Sequence, residues 1–186
     1  HTKLVGFEPD QEEYDKLMRN KKTTDMYINS GVSHERDLKE LFIRKSLGNT
    51  SLYANNDSVI NQHPYNSRFD IIDNTLIETD TLDNLFSQHN ISNMDFLKVD
   101  VEGAELDVLK GAQSTLMDQI FAIEVEVRFI EFYKDAPLFH EVYEFIASLG
   151  FELFDLNRYF YKKKPHVGFL KGQLGMADAL FFINVD

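Results

Sequence analysis

An α/β fold, with a mostly parallel sheet flanked by helices, is the class this sequence predicts. Three observations point to it. From Met94 onward, short apolar runs alternate with amphipathic segments at helical spacing, the pattern that covers both faces of a sheet with helices. Acidic residues punctuate the ends of the apolar runs, at Glu8, at Asp100 and around Glu124 and Glu126. In open α/β sheets, ligands sit at those carboxyl ends. Finally, 186 residues are enough for one domain with a sizeable core, and the whole chain is read as one.

Each element follows from local chemistry. Residues 3–7 form a short apolar run stopped by Glu8-Pro9-Asp10, which reads as a strand ending in a turn. Asp10 is placed to cap a helix over 11–20, with Glu12 and Glu13 in its favourable first turn. Met26-Tyr27-Ile28 is a second short strand ending at Asn29-Ser30-Gly31, and residues 38–45 alternate like a half-buried strand. Residues 46–68 are rich in Asn and Ser and are expected to be a long surface loop, a kind of segment often tied to function. Residues 69–79 read as a strand pair or bent ribbon. Residues 82–89 read as a helix capped by Thr81, and 95–101 as a strand ending near Asp100.

Residues 105–117 give the clearest helix, with Leu106, Leu109, Ala112 and Leu116 on one face. A strand over 120–127, a helix over 140–149 ended by Gly150, and strands over 151–156 and 179–185 follow, with 157–176 expected to be irregular.

Charge narrows the function. Nineteen Lys and Arg against 31 Asp and Glu give a net charge of −12, a surface that repels phosphate backbones, so no nucleic-acid partner is expected. The chain has no cysteine, which removes disulfides, thiolate nucleophiles and Cys-ligated zinc. No apolar run approaches the ~20 residues of a membrane helix. No membrane partner is expected, and the chain is placed in the cytoplasm. His34, His63, His89, His140 and His166 show no metal-ligand spacing, so no metal site is expected; His63 is the histidine considered for catalysis.

The candidate site is acidic. Asp100 ends a strand, and Gly103 permits a tight turn and close approach of a ligand. Asp100 and Glu102 are either catalytic or serve to cap the following helix. Glu124 and Glu126 share one face of a central strand, where carboxylates are costly unless satisfied. Either one of them, with Glu124 the candidate, faces a substrate, or they form ion pairs with Arg128 or Lys98.

The run Phe96-Leu97-Lys98-Val99-Asp100-Val101-Glu102-Gly103-Ala104-Glu105, followed by Leu109-Lys110-Gly111-Ala112, resembles the hallmark of the FkbM methyltransferases. Phe7-Glu8-Pro9-Asp10, Ser51-Leu52-Tyr53, Thr81-Leu82-Asp83, Gly172-Gln173-Leu174 and Ala177-Asp178-Ala179-Leu180-Phe181 resemble further landmarks of that family, in order. The resemblance implies a Rossmann-like class I methyltransferase. It would use S-adenosylmethionine and methylate a hydroxyl on a saccharide or other small molecule. The implied sheet is mostly parallel with an antiparallel last strand.

Carried onto this chain, Glu8, with Pro9 beside it, binds the ribose hydroxyls of the cofactor. Gly31 and Val32 flank its adenine. Asp100 faces its methionine end, and Asp100 or Glu102 is the base. Ser51 and Glu124 are assigned to the acceptor. The family's first strand and glycine-rich loop find no counterpart ahead of Glu8, so residues 1–186 are expected to be a single, N-terminally truncated domain. Oligomeric state stays open, a homodimer being one form. Two other readings remain: a catalytically silent binding or assembly module, and a nucleotide-dependent oxidoreductase, whose dinucleotide fold also places an acidic residue on a ribose.

Overall fold

The computed structural model describes residues 3–165 and 171–184; His1, His166 and Val185 lie outside them. In chain order, β1 (Val5–Phe7) leads into α1 (Gln11–Asn20), then β2 (Met26–Ile28), β3 (Gly31–Val32) and β4 (Asp37–Arg44). A short helix, α2 (Asp57–Ile60), precedes β5 (Ile71–Asp80) and α3 (Leu82–Gln88). Then come β6 (Phe96–Val99), α4 (Glu105–Lys110), α5 (Gln113–Asp118), β7 (Ala122–Arg128), α6 (Phe139–Ser148), β8 (Phe151–Tyr161) and β9 (Gln173–Ile183).

The caps behave as their chemistry dictates. The Asp10 carboxylate accepts from the Glu13 N–H, and the Thr81 hydroxyl accepts from the Asn84 N–H.

The strands form three sheets: β1 with β2, the order β3-β5-β4, and the order β6-β7-β9-β8. This corrects the expected single, mostly parallel sheet. β1–β2, β3–β5 and β6–β7 are parallel, while β4–β5, β7–β9 and β8–β9 are antiparallel and include the longest ladders. The main core lies on the four-stranded sheet, where Ile123, Val125 and Val127 of β7 meet Leu106 and Leu109 of α4, Val142 and Ile146 of α6, and Ala177, Ala179 and Phe181 of β9. Phe7 and Val32 join its margin, so the shorter sheets are seated against the same core.

Four further expectations change. The helix predicted over 105–117 is broken at Gly111-Ala112. A Cβ on Gly111 would lie 2.1 Å from the Ser33 carbonyl oxygen, so the chain turns there against the backbone after β3. The Asp83 carboxylate then accepts from the N–H groups of Ser114 and Thr115 and caps α5. Burial alone would raise the pKa of Asp83, but those bonds outweigh it and hold the carboxyl below its ordinary value.

The predicted surface loop over 46–68 is a folded strap. Ser51, Ile60 and His63 are buried in it, and it hydrogen-bonds to the segment after β7 through Asn56 N–H to Phe132 O and Lys134 N–H to Ala54 O. Residues 71–80 make one strand rather than a pair. β8 runs on to Tyr161 and β9 begins at Gln173, so much of the stretch expected to be irregular is ladder.

Candidate functional site

A cavity of about 850 Å³ opens where the carboxyl ends of β1, β3 and β6 meet the β4–β5 ribbon and the strap. Glu8, Pro9, Gly31, Val32, Ser51, Asp100 and Glu102 all line it, so the fold brings together residues spread over more than ninety positions. Glu124 is not among the lining residues; Glu126, two positions on, is. Glu124 instead forms an ion pair with Lys98, its cross-strand partner on β6, at 2.6 Å.

One wall is the turn after β1. Glu8 donates its N–H to Ile28 O at 3.0 Å, and Asn29 Nδ2 donates to the Glu8 carbonyl at 3.0 Å. Of the side-chain oxygens, Oε1 accepts from the Asp10 N–H at 2.9 Å, and Oε2 has no hydrogen-bond partner among the described residues. Burial raises the pKa of this carboxyl against that bond. Next to it, β3 pairs with β5, Gly31 opposite Thr79. A Cβ on Gly31 would sit 3.0 Å from Thr79 Cγ2 and 3.1 Å from Glu78 O.

The facing wall is the turn after β6. Asp100 stands open to the cavity with no hydrogen-bond partner among the described residues; partial burial raises its pKa, more than the Lys98 charge lowers it. Glu102 has φ 54° and Gly103 φ 107°, a left-handed pair that reverses the chain within two residues. Glu105 braces this reversal, because its two carboxylate oxygens each accept from the Gly103 N–H at 3.0 Å.

Behind the turn, the buried Arg128 guanidinium donates to Glu105 at 3.2 Å, to Glu102 at 2.7 Å and to Glu126. Burial disfavours its charge, but the three glutamates outweigh that and hold it protonated beyond its ordinary range. Tyr133 O–H donates to the same Glu102 oxygen at 2.7 Å, and its ring packs against the guanidinium carbons of Arg128 and Arg44, 4.9 and 4.7 Å away. Burial pushes Glu102 up against both donors, and pushes Glu126 to about 8 with Arg128 opposing and the other carboxylates adding.

Ser51 lines the cavity, but its hydroxyl is engaged in the fold: it donates to the Glu102 carbonyl and accepts from the Tyr53 N–H at 3.0 Å. It ties the strap to the Glu102 turn. His63 lies outside the cavity lining, between the rings of Phe132 and Tyr161, with Nδ1 3.0 Å from Lys162 O. Oxygens of Asp100, Glu102 and Glu126 lie within 4.8 Å of one another, a donor set suited to a hard cation. Here Arg128 already supplies positive charge to Glu102 and Glu126.

Three members of this network went unread in the sequence: Arg44, Tyr133 and the bracing role of Glu105. Arg44 is fully buried and donates to Asn55 Oδ1, Asn49 O and Tyr53 O, fastening the strap. The available signal was an arginine closing an apolar strand, a position that demands partners.

A family model for the methyltransferase FkbM domain matches residues 1–153 of this chain. The chain belongs to the FkbM methyltransferase family. Methyltransferase 1 of Beauveria bassiana (strain ARSEF 2860) is 28% identical, over 67% of this chain and 54% of its own length. The crystal structure of methyltransferase FkbM from Methylobacillus flagellatus KT shares the fold, with a TM-score of 0.50 and 14% identity, over 97% of this chain and 36% of that one. This FkbM chain therefore spans about half of the curated relative and about a third of the solved one. No helix among its described residues is long and apolar enough to cross a membrane.

Proposed function

We propose that this FkbM domain uses S-adenosylmethionine to methylate a hydroxyl on a small molecule such as a saccharide, with Asp100 as the base. The observation that carries the reading is the contrast between the two carboxylates after β6. Glu102 is tied down by Arg128 and Tyr133, whereas Asp100 faces the cavity with no hydrogen-bond partner among the described residues and a raised pKa. A base works best when its pKa lies near the working pH and its lone pairs are available.

The donor set suits the cofactor. Glu8 offers an oxygen to vicinal hydroxyls, the backbone at Gly31 and Val32 lines the cavity where a flat ring edge would lie, and Asp100 has one oxygen for an ammonium group and one for the acceptor hydroxyl. S-adenosylmethionine supplies a methyl group on a sulfonium, already activated for in-line displacement. The protein's own work is alignment and proton transfer. Asp100 would take the hydroxyl proton as the acceptor oxygen gains the methyl carbon and that carbon's bond to sulfur breaks, leaving the neutral thioether S-adenosylhomocysteine, while Glu102, held by Arg128, would fix the turn that presents Asp100. The cavity's carboxylates also weigh against the oxidoreductase reading, because a dinucleotide would bring its diphosphate to an acidic wall.

A strand between β1 and β6, as the family fold implies, belongs to the same proposal; β1 hydrogen-bonds only to β2 and β6 only to β7 among the described residues. Replacing Asp100 by Asn should lower turnover about 100-fold, the low end for loss of a general base. Near-normal turnover removes Asp100 from the mechanism.

A further inference from the structure

We infer that the acceptor is a neutral or cationic hydroxylated molecule with an apolar face, and that the cavity rejects phosphorylated, nucleotide-linked and carboxylated acceptors. This rests on the methyltransferase reading of the same cavity and narrows it.

The charge on the lining is one-sided. Glu8, Asp10, Glu12 and Glu13 stand on the α1 side, and Asp100, Glu102 and Glu126 on the β6–β7 side; no Lys, Arg or His is among the described lining residues. The cations nearby are committed elsewhere. Arg128 is buried and shared among three glutamates, Arg44 is buried and bonded to carbonyl oxygens and Asn55, and Lys98 is paired with Glu124. Phosphate and carboxylate recognition depends on forked or clustered donors of the kind missing from this lining. A concave wall of one sign also concentrates its field; Lys16 offsets Glu13 and Arg128 offsets Glu102 and Glu126, which leaves Glu8, Asp10, Glu12 and Asp100 to repel an entering anion. The positive sulfonium and ammonium of the cofactor suit such a wall; a second negative group on the acceptor does not.

The remaining lining is apolar. Leu41 and Ile43 of β4 and Ile77 of β5 project from one face of the antiparallel ribbon, and Leu47 and Leu52 of the strap extend it. Leu47 is 68% exposed, an apolar side chain at the cavity mouth without cover. A fully hydrophilic acceptor would leave this wall wetted on binding; one carrying an alkyl, acyl or ring face would cover it, at about 25 cal/mol per Å² removed from water.

The test uses three probes titrated into the protein by calorimetry, with and without S-adenosylhomocysteine: hexyl β-glucoside, its 6-phosphate, and methyl β-glucoside. Hexyl glucoside should bind at least tenfold more tightly than either of the others, tenfold being about 1.4 kcal/mol. Leu41→Asn should erase most of the hexyl-over-methyl advantage, and Glu12→Lys, on the exposed helix α1, should narrow the neutral-over-phosphate preference. Equal or tighter binding of the 6-phosphate overturns the inference, as does failure of hexyl glucoside to bind or indifference to Leu41→Asn. S-adenosylmethionine titrated in the same series separates the two levels. Its failure to bind sinks the methyltransferase reading, while the glycoside comparison still reports the character of the cavity.

Discussion

The two acidic walls of the cavity are held by different means. On the β6–β7 side, Asp100, Glu102 and Glu126 grow out of a four-stranded sheet with a helix-covered core on one face, and a buried arginine, a tyrosine and Glu105 fix the turn that carries them. On the β1 side, Glu8 follows a three-residue strand paired with another three-residue strand, and α1 has no buried residue. A two-stranded sheet has little stability of its own. That wall is anchored mainly where Phe7 packs at the core margin, its ring 6.4 Å from Phe86. The difference assigns the walls different work. On the methyltransferase proposal, the rigid wall would set the geometry of proton transfer and the lightly held wall would adjust around the cofactor.

The largest effect should come from cutting the rigid wall at its hub. Arg128→Ala leaves Glu102, Glu105 and Glu126 buried without their shared cation, a kind of loss that costs about 3–5 kcal/mol. Urea denaturation should show that loss, and a change under 1 kcal/mol would mean the cluster relaxes freely.

A smaller effect should appear with pH. The Glu126 carboxyl titrates near 4.5 when unfolded and is pushed up to about 8 in the fold. The folded state therefore holds a proton that the unfolded chain has released. The stability tied to this group is fully present below about pH 4.5 and is lost as pH rises through about 8. The melting temperature should fall across that window in the wild type and fall less in Glu126→Gln; parallel pH profiles would show that Glu126 carries no such proton.

The smallest effect belongs to the other wall. Asp10→Ala removes the cap of α1 and should cost about 1 kcal/mol in denaturation. It should also weaken ligand binding at Glu8, because Asp10 N–H bonds the Glu8 carboxylate and the turn loses its anchor. Loss on the scale of Arg128→Ala would erase the contrast between the walls.

What the sequence made legible was local. α1 and β2 fall at the expected residues because Asp10, Pro9 and the Asn29-Ser30-Gly31 turn set their ends by themselves. The acidic residues of the cavity could be named because strand ends are where such folds place ligands. What stayed hidden depends on partners far along the chain. The break at Gly111 is fixed by the Ser33 backbone, nearly eighty residues earlier. Arg44 and Tyr133 are eighty-nine positions apart, and neither position reveals that the other will pack against it. β8 and β9 extend beyond expectation because their pairing tolerates register shifts that blur the two-residue period. The Glu124 and Glu126 pair shows the same limit: alternation places both on one strand, and only the cross-strand register gives Glu124 to Lys98 and Glu126 to the cavity.

Calorimetric titration of S-adenosylmethionine into this protein, with NAD as the control ligand and Glu8→Gln as the control variant, tests the central claim most directly. Saturable binding of S-adenosylmethionine, no measurable binding of NAD and affinity about tenfold lower in Glu8→Gln are expected, as for a lost hydrogen-bonded charge. Binding of NAD in preference, or S-adenosylmethionine affinity unchanged by Glu8→Gln, would contradict it.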